Sequence, residues 1–524
     1  MKKQVINIVS ALLVLSLVAG CKKGYLDINN NPNLATNTTP ELVLPQALTI
    51  TAATQSAVGN TNPTISCWMG YWAISGSYAT SSTDPASYFQ TTGFGNGTWS
   101  AMYHNLEDYA YIEQAAISQN KPFYIGAVKI MKALVFQQLV DMFNDVPYSQ
   151  ALKGTNYILP KYDPADSVYL AITNQLDSGI VYMQNPSASA LANSDVMFGG
   201  STTSWIQFAN TLKLRILMRQ SQVISQSYLN TELASITANG AGFLTADAAV
   251  NPGYANNAGQ ANPLWGFFIS QTGLRNTGGT SDFYRAQQYS ISFLVSNNDT
   301  FRLRRIYSPG GNDLVAGNNS TVDATQFPIS SYVGNPLGSG QYGLGGSQAS
   351  SLGEGLLKSV SQNAILISAA ESYFLQAEAA LKGWNSFSDP AGNFSKGVLA
   401  SFQYLESNNP APNNPANEAA ALTSQAGNIQ TNYSACTTDA QRLACIIRQK
   451  WVAMNGVTPF EAWCDYRRLG LPADIPVSIS IYVDNPPTIP VRFLYPLSEY
   501  TTNTANVNAE GTINGHTSNV FWNK

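Results

Sequence analysis

The chain has 524 residues and a formal net charge of −4, with aromatic and charged residues each at 11 %, against about 25 % charged in an ordinary soluble domain. That length supports a large buried core and excludes disorder throughout. The slight acidity, with no Lys- or Arg-rich run, excludes nucleic acid as a partner. The two histidines, His104 and His516, lie far apart and fit no metal-ligand spacing, so no metal or other cofactor is expected and any catalysis would have to run on carboxylates.

Lys2 and Lys3 precede an apolar stretch from Ile8 to Val18, too short to span a bilayer and of the length of a signal-peptide core. Val18, Ala19 and Gly20 run into Cys21 in the manner of a bacterial lipobox, so residues 1–20 are expected to be removed and Cys21 to carry lipid. Stable anchoring takes more than one acyl chain. No later run reaches about 18 apolar residues, so the membrane is expected to be touched through the lipid alone. Cys67, Cys436, Cys445 and Cys464 make an even number for an oxidising compartment; Cys436 and Cys445 could pair, and no C-x-x-C or histidine partner points to zinc.

Residues 21–45 are rich in Asn, Thr and Pro, which favour turns over periodic structure, and read as an extended lead to a single body over 46–524. Helical patterning dominates about 46–225 and 360–470. Trp205, Phe208, Ala209, Leu212 and Ile216 form one helical stripe; Tyr373, Phe374, Ala377, Leu381 and Trp384 form a second; Leu443, Ile446, Ile447, Trp451 and Met454 form a third. The run Phe123 to Phe143 is apolar over more than one face and is expected to pack between other helices. Gly383 and Gly456 stand where a helix C-terminus needs a left-handed residue. Thr458-Pro459-Phe460-Glu461 then reads as an N-cap, a first-turn proline and a capping-box glutamate. Helix pairs joined by such short turns must stack to bury their stripes, as helical repeats do.

From about 226 to 355 the chain turns to Gly, Asn, Ser and Thr with scattered aromatics, a loop-rich insertion of the kind that usually carries function. Gly338 to Gly343 matches G-x-G-x-x-G by letter, but no strand precedes it and more glycine follows, so it reads as a flexible loop. An earlier cluster, Trp68, Tyr71, Trp72, Tyr78, Tyr88, Phe89, Phe94 and Trp99, sits among small polar residues without clean periodicity. Aromatic planes with amide neighbours suit sugar rings, whose flat C–H faces stack and whose hydroxyls pair with polar side chains. Tyr71, Trp72, Tyr78, Tyr88 and Trp99 are therefore ligand candidates, against the alternative that such rings form the core of the first helical layer. A second set lies in the insertion, Trp265, Phe267, Tyr284 and Arg285, with Phe268, Arg275, Asn276 and Asp282 nearby. Glu371 and Glu378 share a helix face, but core-like residues stand between them, so a catalytic carboxylate pair is not expected. Asp465 and Arg468 read as a helix-surface or capping ion pair, and Arg492 as structural.

The lipobox, Tyr25-Leu26-Asp27-Ile28-Asn29 with Asn31-Pro32-Asn33, the segment Asn210 to Arg215, Glu371 to Ala380, Gln449 to Met454, Glu461-Ala462-Trp463, Asp465 to Arg468, and Pro490 to Pro496 occur in one order along the whole chain. Together they resemble the SusD/RagB outer-membrane lipoproteins of Bacteroidetes, in a divergent SusD-like form. The resemblance implies a mostly α fold: a tetratricopeptide-like helical-repeat scaffold of about four helix pairs with a loop-rich ligand-binding subdomain. It also implies a non-enzymatic lid on a TonB-dependent, SusC-like outer-membrane transporter that captures oligosaccharide, or in the RagB branch peptide, at the cell surface. The competing readings are a surface glycoside hydrolase and a scaffold for other surface proteins.

Overall fold

A computed structural model describes residues 38–523 apart from 57–60, 84, 192, 277–279, 313–323, 407–413 and 484–486. Cys21, the segment 1–20 and most of the lead lie outside the described residues. The helix Pro40–Ser56 begins inside the stretch read as lead. A proline near its start lacks an N–H the helix would not use there, and Glu41 in the first turn favours the positive end of the dipole.

Four pairs of neighbouring helices make the scaffold: Asn96–Ser118 with Pro122–Phe143, Ala165–Met183 with Thr202–Arg219, Ala369–Leu381 with Pro390–Tyr404, and Asp439–Met454 with Pro459–Leu469. The chain is thus mostly helical. The predicted stripes are what bury: Trp205, Phe208, Ala209, Leu212 and Ile216 have no exposure, and sealing a side chain such as Phe208, Leu212 or Ile216 contributes about 1.5–3 kcal/mol each. Pro122–Phe143 is long and apolar enough to cross a membrane, yet it is buried along almost its whole length. It packs on Asn96–Ser118, Ala165–Met183 and Thr202–Arg219, so its apolar circumference serves the core.

Gly383 and Gly456 take φ of +67° and +70°, ending their helices as expected. The helix that follows Gly456, Pro459–Leu469, starts differently from the expected capping box. Thr458 makes no side-chain cap, and Glu461 turns inward instead. The insertion is less irregular than its composition, carrying the short helices Gln226–Ala238, Pro263–Phe268, Gln288–Ser296 and Thr300–Ile306. Within it Gly340 stands at φ +52° against Thr80, where an added Cβ would collide with the threonine hydroxyl. The segment Gly338 to Gly343 is a turn anchored at Gly340, with Gln341 and Tyr342 exposed.

Charged groups tie the helix pairs together from inside. Arg215 grips Glu371 with two hydrogen bonds of 2.8 and 2.9 Å, and Arg219 reaches Asp141 at 3.0 Å and Glu461 at 2.5 Å. Arg468 clamps Glu378 at 2.6 and 2.8 Å and also meets Asp465, which Lys450 holds at 2.8 Å. Asp141 additionally accepts from Trp522 Nε1 at 2.8 Å and from the Tyr169 hydroxyl. Glu371 and Glu378 are therefore counter-ions. The Asp465–Arg468 pair exists but is buried, a correction to its reading as a surface pair, because Lys450 and Glu378 from other helices close over it. Arg492 is structural as expected, donating to the Phe143 carbonyl. Cys67, Cys436, Cys445 and Cys464 are all buried, and the pairing open to Cys436 and Cys445 is not made.

Candidate functional site

The two aromatic segments meet through backbone pairing. Strand Trp72–Ile74 runs antiparallel to strand Tyr284–Ala286, with Trp72 opposite Ala286 and Ile74 opposite Tyr284. Trp72 packs edge-on to Phe268 at 5.4 Å between ring centroids and lies 6.0 Å from Tyr284, and Phe267 lies 6.1 Å from Tyr284. Tyr78 packs edge-on to Phe283 at 5.0 Å, with its hydroxyl 3.5 Å from Asp282, whose other oxygen pairs with Arg285 at 3.2 Å. Burial, then the Asp282 charge, raises the Tyr78 pKa. Trp72, Tyr78, Phe267, Tyr284 and Arg285 thus form one cluster with Trp265 on the adjoining short helix. Tyr71, Tyr88 and Trp99 lie elsewhere.

Most of these residues are core, which corrects the expectation that they form an open platform. Tyr71 is fully buried: its ring stacks on Trp451 at 5.1 Å and its hydroxyl donates to the Trp451 carbonyl at 2.6 Å. Trp99 is enclosed by Phe143, Tyr103, Tyr162 and Tyr495. Tyr88 packs edge-on to Trp68, and its hydroxyl accepts from the Ser478 N–H at 2.9 Å. Trp72, Trp265, Tyr284 and Arg285 are also buried. A sugar cannot stack on a ring whose faces are already covered by other rings, so Tyr71, Trp72, Tyr88, Trp99 and Tyr284 offer none. Of the nine candidates, Tyr78 and Phe267 keep partial exposure.

Two surface cavities carry the chemistry sought. One, of about 480 Å³, is lined by Trp265 with Asn256, Asn257, Asn262, Gln271 and Asn276. The other, of about 240 Å³, is rimmed by Phe89 and Tyr482, which are 54 % and 47 % exposed, and lined by the buried Tyr88 with Gln90, Thr488, Asn514 and His516. Inside it, both amide atoms of Gln90 are buried without a hydrogen-bond partner among the described residues. Gly515 sits against that amide, where a Cβ would come within 3.2 Å of Gln90 Nε2. His516 Nδ1 lies 3.1 Å from Thr488 Oγ1. A buried polar group left unpaired costs about 1–3 kcal/mol, and a pair of vicinal hydroxyls complements an amide's donor and acceptor together.

Gln90, Tyr482, Thr488, Asn514 and His516 were missed in the sequence because the contributing segments lie almost four hundred residues apart. One local signal was present. In Val477 to Ile481 the isoleucines Ile479 and Ile481 point outward, 63 % and 85 % exposed, while Ser478 and Ser480 are buried. The outward isoleucines mark an apolar surface leading to Tyr482.

Known proteins share this architecture. Residues 32–496 match the SusD-like family described as starch-binding, associating with outer membrane. The chain belongs to this family. SusD homologues from Bacteroides fragilis NCTC 9343 and Bacteroides uniformis ATCC 8492 superpose with TM-scores of 0.70 and 0.71 at 20 % and 23 % identity, covering 93 % and 92 % of this chain and 100 % and 99 % of theirs. A chitin-binding SusD homologue from Flavobacterium johnsoniae superposes with a TM-score of 0.69 at 21 % identity, covering 92 % of this chain and 98 % of its own. At such identities the likeness shows a shared fold. No curated protein sequence matches. In this SusD-like protein the stretches that carried the family resemblance, among them Arg215, Glu371, Glu461 and Arg468, are the ones that build the inter-helix charge network.

Proposed function

We propose that the protein is a lipid-anchored cell-surface glycan receptor, tethered through Cys21, that captures neutral oligosaccharide and passes it uncleaved to a TonB-dependent, SusC-like outer-membrane transporter. The observation that carries this reading is the cavity between Phe89 and Tyr482, where two exposed rings flank the unpaired amide of Gln90. Rings stack on sugar C–H faces and the amide exchanges hydrogen bonds with hydroxyls. The family description, starch-binding and associated with the outer membrane, supports the ligand class and the compartment. The Trp265 cavity, with its five amide neighbours, is a second contact of the same chemistry, with Tyr78 and Phe267 the half-exposed rings of the adjoining cluster.

A RagB-like peptide receptor is the alternative. Among the described residues, neither cavity is lined by a Lys, Arg, Asp or Glu to meet chain termini or charged side chains, which favours glycan. Against a glycoside hydrolase, the carboxylates Glu371 and Glu378 are each committed to an arginine. Titration calorimetry of the mature chain with starch- and chitin-derived oligosaccharides and a peptide panel, with chromatography of the mixtures afterwards, tests the proposal. Saturable glycan binding without new products supports it; peptide binding alone, or released sugar fragments, overturns it. Co-purification of a TonB-dependent transporter with the tagged lipoprotein tests the partner.

A further inference from the structure

A third cavity, of about 620 Å³, opens beside the helices Ala369–Leu381 and Pro390–Tyr404 and shares no lining residue with the other two. One wall is a single face of the second helix: Lys396, Leu399, Ala400, Gln403 and Tyr404 recur at i, i+3, i+4, i+7 and i+8. On a packed helix that face would be apolar; here it carries a cation, an amide and a phenol. Tyr373 comes from the facing helix, and Asp247 and Lys358 from segments flanking the paired strands Ala248–Val250 and Ala364–Ile367.

The charges in this cavity are incompletely matched. Lys358 Nζ lies 4.3 Å over the Tyr404 ring and donates to the Tyr404 carbonyl, and Lys396 Nζ lies 6.0 Å from the Tyr373 ring centre. Neither lysine has a carboxylate within ion-pair distance among the described residues. Burial lowers the Lys358 pKa to about 8, with the more distant Asp247 and Glu406 opposing. Asp247 is engaged on one side, accepting from the Ala369 N–H at 2.8 Å. Neither ammonium is thus matched by a carboxylate among the described residues, while Asp247, Asn363 and Gln403 line the cavity with hydrogen-bonding groups that a bare anion cannot use; the Gln362 amide is taken up by the Lys358 and Ser359 N–H groups and the Leu356 carbonyl. A volume in the usual range for small-molecule sites fits one or two rings.

We propose that this cavity binds an acidic sugar, with the carboxylate held by Lys358 and Lys396 and the hydroxyls by Asp247, Asn363 and Gln403. This site is independent of the Phe89–Tyr482 cavity and takes a charged ligand where that one takes a neutral ligand. Titration calorimetry of the mature chain with glucuronate, glucose, acetate and inorganic phosphate tests it. Glucuronate is expected to bind saturably while the other three do not compete. Lys396→Met, an exposed change, is expected to weaken glucuronate about tenfold, as is Lys358→Met in a variant whose melting temperature stays within a few degrees. Phe89→Ala with Tyr482→Ala is expected to leave glucuronate binding unchanged. Equal competition by acetate or phosphate, equal binding of glucose, or unaltered affinity in Lys396→Met would each overturn the assignment. So would a peptide carboxylate displacing glucuronate.

Discussion

Two regions of this molecule place polar groups among aromatic rings, and they treat those groups in opposite ways. In the inter-helix network every carboxylate named has a cation from another helix: Glu371 has Arg215, Glu378 has Arg468, Asp465 has Lys450, and Asp141 has Arg219. In the Phe89–Tyr482 cavity the Gln90 amide has no partner among the described residues. Where the fold completes a polar group, that group is serving the fold; where the fold leaves it incomplete, it is available to a ligand. By this criterion the family-motif residues are architecture, and the surface between residues 88–90 and 482–516 is the place to look for recognition.

The network side of the contrast predicts the largest effect. Asp141→Ala strips partners from Arg219, Trp522 and Tyr169 at once and is expected to destabilise the protein by about 3–5 kcal/mol, read from urea unfolding. A loss under 1 kcal/mol would break the claim that the network holds the helix pairs. The same network sets an acid limit. Burial disfavours ionised Asp465, but Lys450, Arg468 and Arg219 outweigh it and hold the carboxyl well below its usual range. A depressed carboxylate pKa stabilises the fold at pH values above the unfolded value, about 3.9, and that contribution fades as pH falls below it. Unfolding free energy is expected to drop as pH is lowered below about 4, with a shallower slope in Asp465→Asn.

The cavity side predicts changes in affinity without loss of fold. Phe89→Ala combined with Tyr482→Ala removes two exposed rings and is expected to weaken oligosaccharide binding by about 1–3 kcal/mol, with the melting temperature unchanged. Gln90→Leu sharpens the comparison further. Because the amide is unpaired in the free protein, replacing it with an apolar group of similar size is expected to leave stability equal or higher while weakening binding about tenfold. A drop in both together would mean that Gln90 is completed by the fold after all.

The fold was legible because repeat helices bury periodic stripes: Trp205, Phe208, Leu212 and Ile216 announce their helix by spacing alone. Gly383 and Gly456 were legible because a positive φ selects glycine. The site was less so. Aperiodic aromatics such as Tyr71 and Trp99 look exposed in sequence because no local period explains them, yet their partners, Trp451 and Tyr495, are hundreds of residues away. Glu461 was read as a cap for the same reason: its true partners, Arg219 and Arg215, lie on another helix pair. Local pattern reports local structure, and both the deepest charges and the proposed ligand surface are made by distant segments.

Tyr71 provides the smallest and most discriminating test. Its ring stacks on Trp451 and its hydroxyl donates to the Trp451 carbonyl, so Tyr71→Phe keeps the packing and deletes one buried hydrogen bond. The expected cost is about 1 kcal/mol of stability, and oligosaccharide affinity should not change, because no part of this side chain reaches the surface. The same substitution at an exposed binding tyrosine would do the reverse, sparing stability and costing affinity through the lost hydroxyl. If Tyr71→Phe weakened binding while leaving unfolding unaltered, the boundary drawn between core rings and ligand rings would be in the wrong place, and the early aromatic cluster would return as the binding surface.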